Sequence, residues 1–253
     1  MTDNINISDR PKETVAWFSA GATSAVACKL ALKKYPDLKI LYIDTGSHHP
    51  DNERFLHDCE RWFSKEIVTL RSMYYKDVFD VIERTHFIRS HIGASCTGKL
   101  KIDVRKQYEY EHNIERYIWG FDFDKNEIRR SERMVERYPE FQHEFPLIDQ
   151  KLDKPACLCL LEQAGIELPV LYRMGFHHNN CVPCVKSSMG TWNRTRRYFP
   201  ELFDRMAKLE RKIGYHCLGS CYLDELDPDA GRNETVEPAC SIFCGMIDLD
   251  DNE

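Results

Sequence analysis

The sequence predicts an α/β fold, a parallel sheet with helices on both faces, followed by a smaller helical and cysteine-containing C-terminal cap. Three observations predict it. Short apolar runs alternate with segments of helical periodicity, each apolar run ends in small or polar residues, and beyond residue 150 the pattern contains helices and irregular segments but no further strand.

The first unit is a strand at residues 14–19 and a helix at 23–34, in which Ala25, Val26 and Leu30 recur at the spacing of one buried face. The alternation then continues through the N-terminal part of the chain. Further strands are predicted at 39–43, 66–70 and 114–120, and further helices at 51–62, 76–84, 100–112 and 126–137. Such alternation predicts parallel strands, with ligands bound at their carboxyl ends.

The C-terminal part differs in pattern. We expect a helix at 154–164, an irregular stretch at 177–186, helical segments from 187 to 214, and an acidic, loop-like tail from 226 that carries Cys240 and Cys244. The predicted domains are therefore a nucleotide-binding α/β domain at 1–150 and a helical cap at 151–253.

Composition narrows the class of protein. The chain has 253 residues, a hydrophobic fraction of 42% and a net charge of −6. No segment approaches the roughly 18 apolar residues of a membrane helix, and the polar first residues lack a signal-peptide pattern. We expect a cytoplasmic protein without a membrane partner. The negative charge argues against a generally DNA-coating protein, although local basic clusters can still meet a phosphate backbone.

The turn after the first strand consists of small residues. A strand-to-helix loop directs backbone N–H groups towards one point, where the helix dipole favours an anion. The residues of this loop are Ser19, Ala20, Gly21, Ala22, Thr23 and Ser24. They fit a phosphate cradle or an ordinary tight turn, and they match neither the dinucleotide glycine pattern nor a Walker loop.

This loop resembles the PP-loop of ATP pyrophosphatases and phosphoadenylylsulfate reductases, whose common form is Ser-Gly-Gly-x-Asp-Ser. The resemblance continues through Asp44-Thr45-Gly46, "SCTGKLK" at 95–101, "EIRRSER" at 127–133 and "HHNNCVPCVKSSMGTWNRTRRYF" from 177. It covers most of residues 14–213 and indicates the reductase-like branch of the adenine nucleotide alpha-hydrolase superfamily, with a Rossmann-like sheet.

The resemblance implies site residues. Phosphate would be bound by Ser19, Ala20, Gly21, Thr23 and Ser24, the nucleotide would be bordered by Asp44, Thr45 and Gly46, and Arg130 and Arg133 match basic positions near the substrate phosphates. The loop also departs from the family. Ala20 replaces a glycine, Ala22 offers no lysine, and Thr23 replaces an aspartate associated with the metal, so Mg²⁺ would need help from elsewhere.

Eleven cysteines are many for a chain without a secretory pattern, and an odd number cannot pair completely. Cys28, Cys59, Cys157 and Cys159 lie in apolar or helical patterns and are expected to be small core residues. Cys181-Val182-Pro183-Cys184 places two thiolates within reach of one metal. The other ligands would come from Cys96, from Cys217 and Cys221, or from Cys240 and Cys244, and structural zinc is one explanation of the set.

Adenylylsulfate reductases carry an iron–sulfur cluster on a Cys-Cys pair and a CxxC some eighty residues later. By that resemblance Cys96, Cys181 and Cys184 are three ligands of a 4Fe–4S cluster, which we favour over zinc. For the fourth ligand we prefer Cys244 over Cys240. A cluster with an open iron remains an alternative, and in related sulfur-transfer enzymes that vacancy is thought to hold the sulfur being moved.

The resemblance leaves three functions open. In the preferred one, ATP adenylates an acceptor with release of pyrophosphate, and sulfur then displaces AMP, as in tRNA thiolation or DNA phosphorothioation. The acceptor would be a nucleic acid and the sulfur would come from a cysteine desulfurase or another donor. In the second, phosphoadenylylsulfate or adenylylsulfate is reduced, with Cys244 as nucleophile. In the third, the chain is a non-catalytic nucleotide-binding subunit with structural zinc.

Two clusters bear on nucleic acid and metal binding. Arg194, Arg196 and Arg197, with Trp192 and Tyr198 between them, can grip a phosphate backbone and stack on a base, or can form a solvated helix face. Lys99, Lys101 and Arg105 would extend that surface if they lie beside it. The doubled histidines His48-His49 and His177-His178 border the expected cleft, where loop hydrogen bonding is a commoner role than metal binding.

Overall fold

The computed structural model describes residues 7–179, 181–232, 235–239 and 249. At its centre lies a five-stranded sheet in which all neighbouring strands are parallel, in the order β3-β2-β1-β4-β5. The strands are β1 (Glu13–Phe18), β2 (Lys39–Asp44), β3 (Ile67–Arg71), β4 (Ile114–Ile118) and β5 (Gln142–Glu144). The predicted α/β class is confirmed. The sequence did not indicate β5, because its three polar residues carry no apolar pattern.

Helices connect and cover the strands. They are α1 (Ala22–Lys34), α2 (Asp51–Phe63), α3 (Val78–Thr85), α4 (Ser95–Thr97), α5 (Asp103–Glu111), α6 (Lys125–Arg137), α7 (Pro146–Asp149), α8 (Lys154–Gln163), α9 (Val170–Arg173), α10 (Met189–Tyr198) and α11 (Pro200–Ile213). A π-helical turn, Gly98–Ile102, joins α4 to α5, and 3₁₀ turns lie at Ile7–Asp9 and Leu223–Glu225.

Side-chain caps explain where several helices begin. Asp77, Asp124, Asp153 and Ser188 each accept a hydrogen bond from a backbone N–H in the first turn of α3, α6, α8 and α10. Helix α11 ends at Gly214, which has a φ of 74° and adopts the left-handed conformation that commonly terminates helices.

Alternate residues of the strands enter two separate cores. Ala16, Phe18 and Ile40 pack with α1, α2 and α8 on one face of the sheet. Val15, Leu41 and Tyr117 pack on the other face with side chains from α5 and the segment around α6 and β5. Both faces of the sheet are therefore covered. Because α8 shares the core of α1, the boundary at residue 150 stays a prediction.

A third core belongs to the C-terminal cap. Helices α10 and α11 pack against α3 and the π-helical turn, around the fully buried Trp192 and Met206. Within it Glu210 is completely buried, and its carboxylate accepts hydrogen bonds from the backbone N–H groups of Cys217 and Leu223, the latter at 2.7 Å. None of the helices in the described residues is both long and apolar enough to cross a membrane.

The strand order fixes where a ligand can bind. The chain runs from β1 to β2 on one side and later returns through β4 on the other side of β1. In an open parallel sheet the connections after two such strands diverge, and they leave a crevice outside the carboxyl ends. The loops after β1 and β4 border this crevice.

Candidate functional site

The loop between β1 and α1 is closed by its own side chains. Ser24 Oγ donates to Gly21 O at 2.9 Å and accepts from the N–H of Ser19 at 3.0 Å. Ala20 is fully buried with a φ of 56°, a left-handed conformation at the position where the PP-loop family has glycine. Gly21 is the N-cap of α1 and, as a glycine, offers no side-chain oxygen to the N–H groups of the first turn. The first turn can therefore present backbone N–H groups to an anion.

Side chains from distant segments hold this loop from outside. The Ala22 N–H donates to the Tyr172 hydroxyl at 3.3 Å, and burial raises the pKa of Tyr172 to about 12. Asn179 Nδ2 donates to Ala20 O at 2.5 Å and to Asn52 Oδ1 at 2.8 Å. Since Asn179 and Asn52 are each only 4% exposed, these bonds form a buried polar support beneath the loop.

The end of β2 lies at the same edge of the sheet, on the other side of β1 from β4. The Asp44 carboxylate lies 3.6 Å from His48 Nδ1, pairs with Arg71, and accepts from the Gly46 N–H at 2.8 Å. The neighbouring His48 is the largest cause that lowers the pKa of Asp44, which therefore stays ionised. Gly46 has a φ of 68°, and a Cβ there would lie 1.9 Å from Lys76 O, so only glycine fits.

Cys181 lies beside this strand end. Its Sγ is 3.0 Å from Thr45 Oγ1, and the N–H of the next residue donates to Ser47 O at 2.7 Å. Burial opposes a thiolate here, but the neighbouring His48, the charge of Lys101 and the hydrogen bond with Thr45 together lower the pKa of Cys181 to about 7. Burial likewise opposes the imidazolium, yet the neighbouring Asp44 carboxylate and Cys181 sulfur raise the pKa of His48. The arrangement therefore favours a thiolate at neutral pH.

The three described cysteines of the predicted cluster line one cavity of about 930 Å³. Burial, with the neighbouring charges of Cys181 and Cys184, raises the pKa of Cys96 to about 11, so the three sulfurs interact. Within the described residues, however, no three His, Cys, Asp or Glu side chains converge closely enough to hold a metal. Cys240 and Cys244 lie outside the described residues. Three thiols facing one cavity match part of the donor set of an iron–sulfur cluster or of zinc, and the set stays a prediction.

The cavity is basic although the chain is acidic. Among the described residues that line it there is no Asp or Glu, whereas the whole chain has 41 of these against 35 Lys and Arg. The basic lining residues are Lys101, Arg130, Lys186, Arg194 and Arg232. Of the predicted nucleotide residues only Thr45 lines the cavity, and Arg133 is exposed outside it. The cavity is therefore separate from the loop and suits a negatively charged ligand.

Further charged residues meet where the crevice adjoins this cavity. Lys154 Nζ donates to His178 Nδ1 at 2.9 Å and to His177 O at 3.3 Å. Burial, with the charges of Lys154, His177 and Arg130, lowers the pKa of His178 to about 3. Asp122 is 7% exposed, and burial raises its pKa to about 6 against the opposing charge of Lys154. The doubled histidine thus takes part in hydrogen bonding.

The predicted nucleic-acid surface is only partly formed. Trp192 is completely buried in the cap and cannot stack on a base, which corrects that expectation. Arg196 donates to Leu223 O at 3.0 Å and Leu226 O at 2.8 Å, and Arg105 lies 3.2 Å from Glu109 with an 11% exposed side chain. Arg196 therefore joins α10 to the segment after α11, and Arg105 is occupied by an ion pair within α5. Arg197 and Tyr198 are exposed, and Arg194 and Lys101 line the cavity.

The cysteines assigned to the core are buried. Cys28, Cys59 and Cys157 lie in the core beside α1, where burial raises the pKa of Cys28 and of Cys59 above the ordinary thiol range. Cys159 is buried too, but it is disulfide-bonded, so its description as a simple core residue was incomplete. Cys217 is buried in the cap and Cys221 is partly buried.

Several supporting residues escaped sequence reasoning. Asn52, Asn179 and Tyr172 hold the loop, and Tyr42 donates to or accepts from His48 Nδ1 at 2.6 Å. The one available signal was a polar residue at an otherwise buried position, as with Asn52 on the inner face of α2. That signal does not reveal a partner more than a hundred residues away.

Comparisons with known proteins agree with this architecture. Residues 13–187 match the family model described as the phosphoadenosine phosphosulfate reductase domain. Two uncharacterized proteins of Methanocaldococcus jannaschii are 24% identical over 205 residues and 23% identical over 220 residues, which is 78% and 84% of this chain. The matches cover 47% and 44% of those proteins, so the chain spans about half the length of the curated relatives it matches.

A solved structure is also similar. It is the phosphate complex of the phosphoadenylyl-sulfate reductase from Candida auris, with a TM-score of 0.48 and 12% identity. The match covers 68% of this chain and 81% of that chain.

Proposed function

Because the chain belongs to the phosphoadenosine phosphosulfate reductase domain family, we propose that it uses ATP to adenylate an acceptor and then replaces the activated oxygen by sulfur. Family membership supports nucleotide-related sulfur chemistry and an enzymatic role. The proposal adds the acceptor activation, and places the nucleotide between the loop after β1 and the residues Asp44, Thr45 and Gly46.

One observation carries the proposal. Cys181 Sγ lies 3.0 Å from Thr45 Oγ1, and Thr45 directly follows β2, which pairs with β1 and ends at the same edge of the sheet as the loop. A sulfur atom and the expected nucleotide are thereby brought to the same strand end. The lowered pKa of Cys181 supports a reactive sulfur at this place.

The reaction has two steps. An acceptor oxygen attacks the α-phosphorus of ATP and pyrophosphate leaves, while the backbone N–H groups at the start of α1 stabilise the phosphate charge. A sulfur nucleophile then attacks the adenylated atom of the acceptor, and AMP leaves with the original oxygen. The chain contributes mainly positioning and electrostatic stabilisation, for which Arg130 at the cavity is a candidate.

An iron–sulfur cluster is part of the proposal. Cys96, Cys181 and Cys184 would hold it together with Cys244, which lies outside the described residues. When bound, such a cluster offers an iron site at which sulfur can be kept before transfer. The cations of Lys101 and Lys186, both of which act on Cys96, would offset the negative charge of the thiolates. Structural zinc on the same thiols is the alternative.

The acceptor is proposed to be a nucleic acid. The cavity beside Thr45 is lined by five basic side chains and, in the described part of the chain, by no acidic one. Such a lining suits a phosphate backbone better than a neutral acceptor. The sulfur donor, a cysteine desulfurase or another carrier, would have to reach the same cavity.

The decisive experiment measures pyrophosphate release from ATP, with and without a pool of single-stranded RNA or DNA, on protein purified without oxygen. We expect pyrophosphate release that depends on nucleic acid and that persists in a Cys181→Ser variant, whereas this variant should no longer incorporate sulfur into the nucleic acid. Iron, sulfide and zinc analysis of the same preparation decides between cluster and zinc. ATP binding without any release, with or without nucleic acid, would contradict the proposal and favour a non-catalytic nucleotide-binding subunit.

A reductase is the second candidate, and the Cys181 environment favours it. The thiolate would attack the sulfate sulfur of adenylylsulfate or phosphoadenylylsulfate, and the nucleotide would leave with the bridging oxygen. Cys184 would then attack Cys181 Sγ, which releases sulfite and oxidises the two cysteines to a disulfide that a dithiol reductant restores. Sulfite formation from either sulfonucleotide, without pyrophosphate release from ATP, would support this reaction. Cys244, the nucleophile expected from the resemblance, lies outside the described residues.

A further inference from the structure

The loop between β1 and α1 contains no charged side chain, which is unusual for the expected ligand. The phosphates of a nucleotide carry several negative charges. Proteins generally offset them with Mg²⁺, held by one or two carboxylates together with the phosphates themselves, and with a lysine. Two charged groups approach the start of α1 from other elements, namely Asp122 after β4 and Lys154 at the start of α8.

The backbone after β4 lies directly against α1. A Cβ on Gly120 would be 2.6 Å from Ser24 Cα and 2.9 Å from Ser24 N, so only a glycine permits this approach. Asp122 follows two residues later, on the other side of the crevice created by the order of β1 and β4. The topology therefore brings its carboxylate to the place where ligands of such sheets bind.

The Asp122 carboxylate lacks the partner that its burial calls for. The residue is 7% exposed, and within the described ranges its carboxylate takes no hydrogen bond from another residue and forms no ion pair. A buried carboxylate without a cation is costly. Its charge also acts on Tyr172, whose pKa is raised chiefly by burial and whose hydroxyl accepts from the Ala22 N–H. The Asp122 carboxylate thus lies near enough to Tyr172 for its charge to act on this hydroxyl.

Lys154 is connected to the loop between β1 and α1 by a different set of contacts. Its ammonium is held by His178 Nδ1 at 2.9 Å, and the next residue, Asn179, donates to Ala20 O at 2.5 Å. Helix α8, which begins at Lys154, packs on α1 in the same core. The ammonium is therefore held next to the segment that supports the loop, by contacts that do not involve a ligand.

We propose that Asp122 and Lys154 supply the charged groups that the loop lacks: Asp122 binds the Mg²⁺ that accompanies the nucleotide phosphates, and Lys154 binds a phosphate oxygen. The inference rests on the proposed nucleotide site and deepens it. The two residues have opposite charges, so their effects on metal-free nucleotide must have opposite signs. Without Mg²⁺, Asp122 repels the phosphates, whereas Lys154 attracts them in both conditions.

The test compares the affinity of the full chain for ATP with Mg²⁺ and with EDTA, measured by titration calorimetry. We expect wild-type protein to bind ATP at least tenfold more tightly with Mg²⁺. Asp122→Asn lowers the affinity for Mg²⁺-ATP at least tenfold and leaves metal-free ATP unchanged or more tightly bound. Lys154→Gln lowers both affinities about tenfold. Asp124→Asn and Lys125→Gln are matched controls on exposed neighbours and should change neither.

Different failures have different meanings. Equal loss of both affinities in Asp122→Asn, or none in either, would overturn the inference while leaving the nucleotide site intact. Wild-type protein that binds ATP equally with and without Mg²⁺ would overturn it even if a variant failed to fold, which circular dichroism melting would reveal. Wild-type protein that binds ATP in neither condition would overturn the proposed function and this inference together.

Discussion

Cys181 is the residue whose chemistry depends most on its neighbours. Thr45, His48 and Lys101 counteract the effect of burial and lower the pKa of its thiol to about 7. The rate at which the Cys181 thiol reacts therefore depends on whether Thr45, His48 and Lys101 lie next to it. An ordinary exposed cysteine would be mostly protonated at that pH.

This environment predicts the pH dependence of alkylation in metal-free protein. Because the thiolate is the reacting form, the rate of Cys181 labelling by iodoacetamide should rise with pH, reach half its maximum near pH 7 and level off above it. His48→Asn removes the imidazole that lowers the pKa of Cys181, so this pKa should return towards its ordinary value and the rate at pH 7 should fall about tenfold.

Peptide mass spectrometry that separates Cys181 from Cys184 gives the rates. His57→Asn is the matched control, because His57 is exposed and pairs with Glu60 on the outer side of α2. A midpoint that stays near pH 7 in His48→Asn would show that His48 does not stabilise the thiolate.

At the scale of elements, the contact between β4 and α1 sets the shape of the loop. Gly120→Ala would place a Cβ 2.6 Å from Ser24 Cα, and both contacting atoms belong to backbone that cannot rotate away. We expect a loss of about 1–3 kcal/mol in the free energy of unfolding, as for other overpacked sites. ATP affinity should fall as well, since the first turn of α1 must move.

Gly98→Ala is the control for this substitution. A Cβ on Gly98 would have no atom within 4 Å, and the residue is helical with a φ of −60°. It should leave ATP binding unchanged and stabilise the fold by about 0.5–1 kcal/mol. Urea unfolding and ATP titration measure both variants, and a fully stable Gly120→Ala would disprove the close approach.

Elements defined by periodicity were predictable, and those defined by tertiary contacts were not. The strands β1 to β4 and the amphipathic helices can be recognised from nearby residues alone, because burial of one or two faces produces a regular spacing of apolar residues in the sequence. Strand β5 is too short and polar to do so, and the π-helical turn at Gly98–Ile102 reads as ordinary helix. Likewise, sequence motifs predicted that the three cysteines lie together, and they line one cavity. The burial of Trp192 could not be predicted in this way, because it depends on how α10 packs against α11.

At the scale of the whole molecule, charge is unevenly distributed. A chain with a net charge of −6 keeps, among its described residues, a cavity lined only by basic and neutral side chains. Such a charge distribution repels a negatively charged ligand from most of the protein surface and attracts it to the cavity. The binding of a nucleic acid should therefore depend on a few lysines of the cavity and not on the overall charge.

Charge reversal tests this distribution. Lys101→Glu combined with Lys186→Glu should weaken binding of a single-stranded oligonucleotide at least tenfold. Fewer released counterions should also reduce the slope of log K against log salt by about 1.4, or roughly 0.7 for each lost phosphate contact. Lys208→Glu with Lys212→Glu on exposed parts of α11 makes the same change in net charge and should have little effect. Equal losses in both pairs, measured by fluorescence anisotropy, would indicate nonspecific attraction.

The contacts that hold the loop also bear on the order in which parts of the chain fold. Ala20 and Asn179, which share a hydrogen bond, are 159 residues apart, and Thr45 and Cys181 are 136 apart. Contacts of such separation close late, because the entropy of the intervening chain must be lost before they form. On a ribosome that adds 5–20 residues per second, roughly 8–30 s pass between the synthesis of the loop and that of its support. The nascent sheet can therefore form before the residues that support its loop have been synthesised.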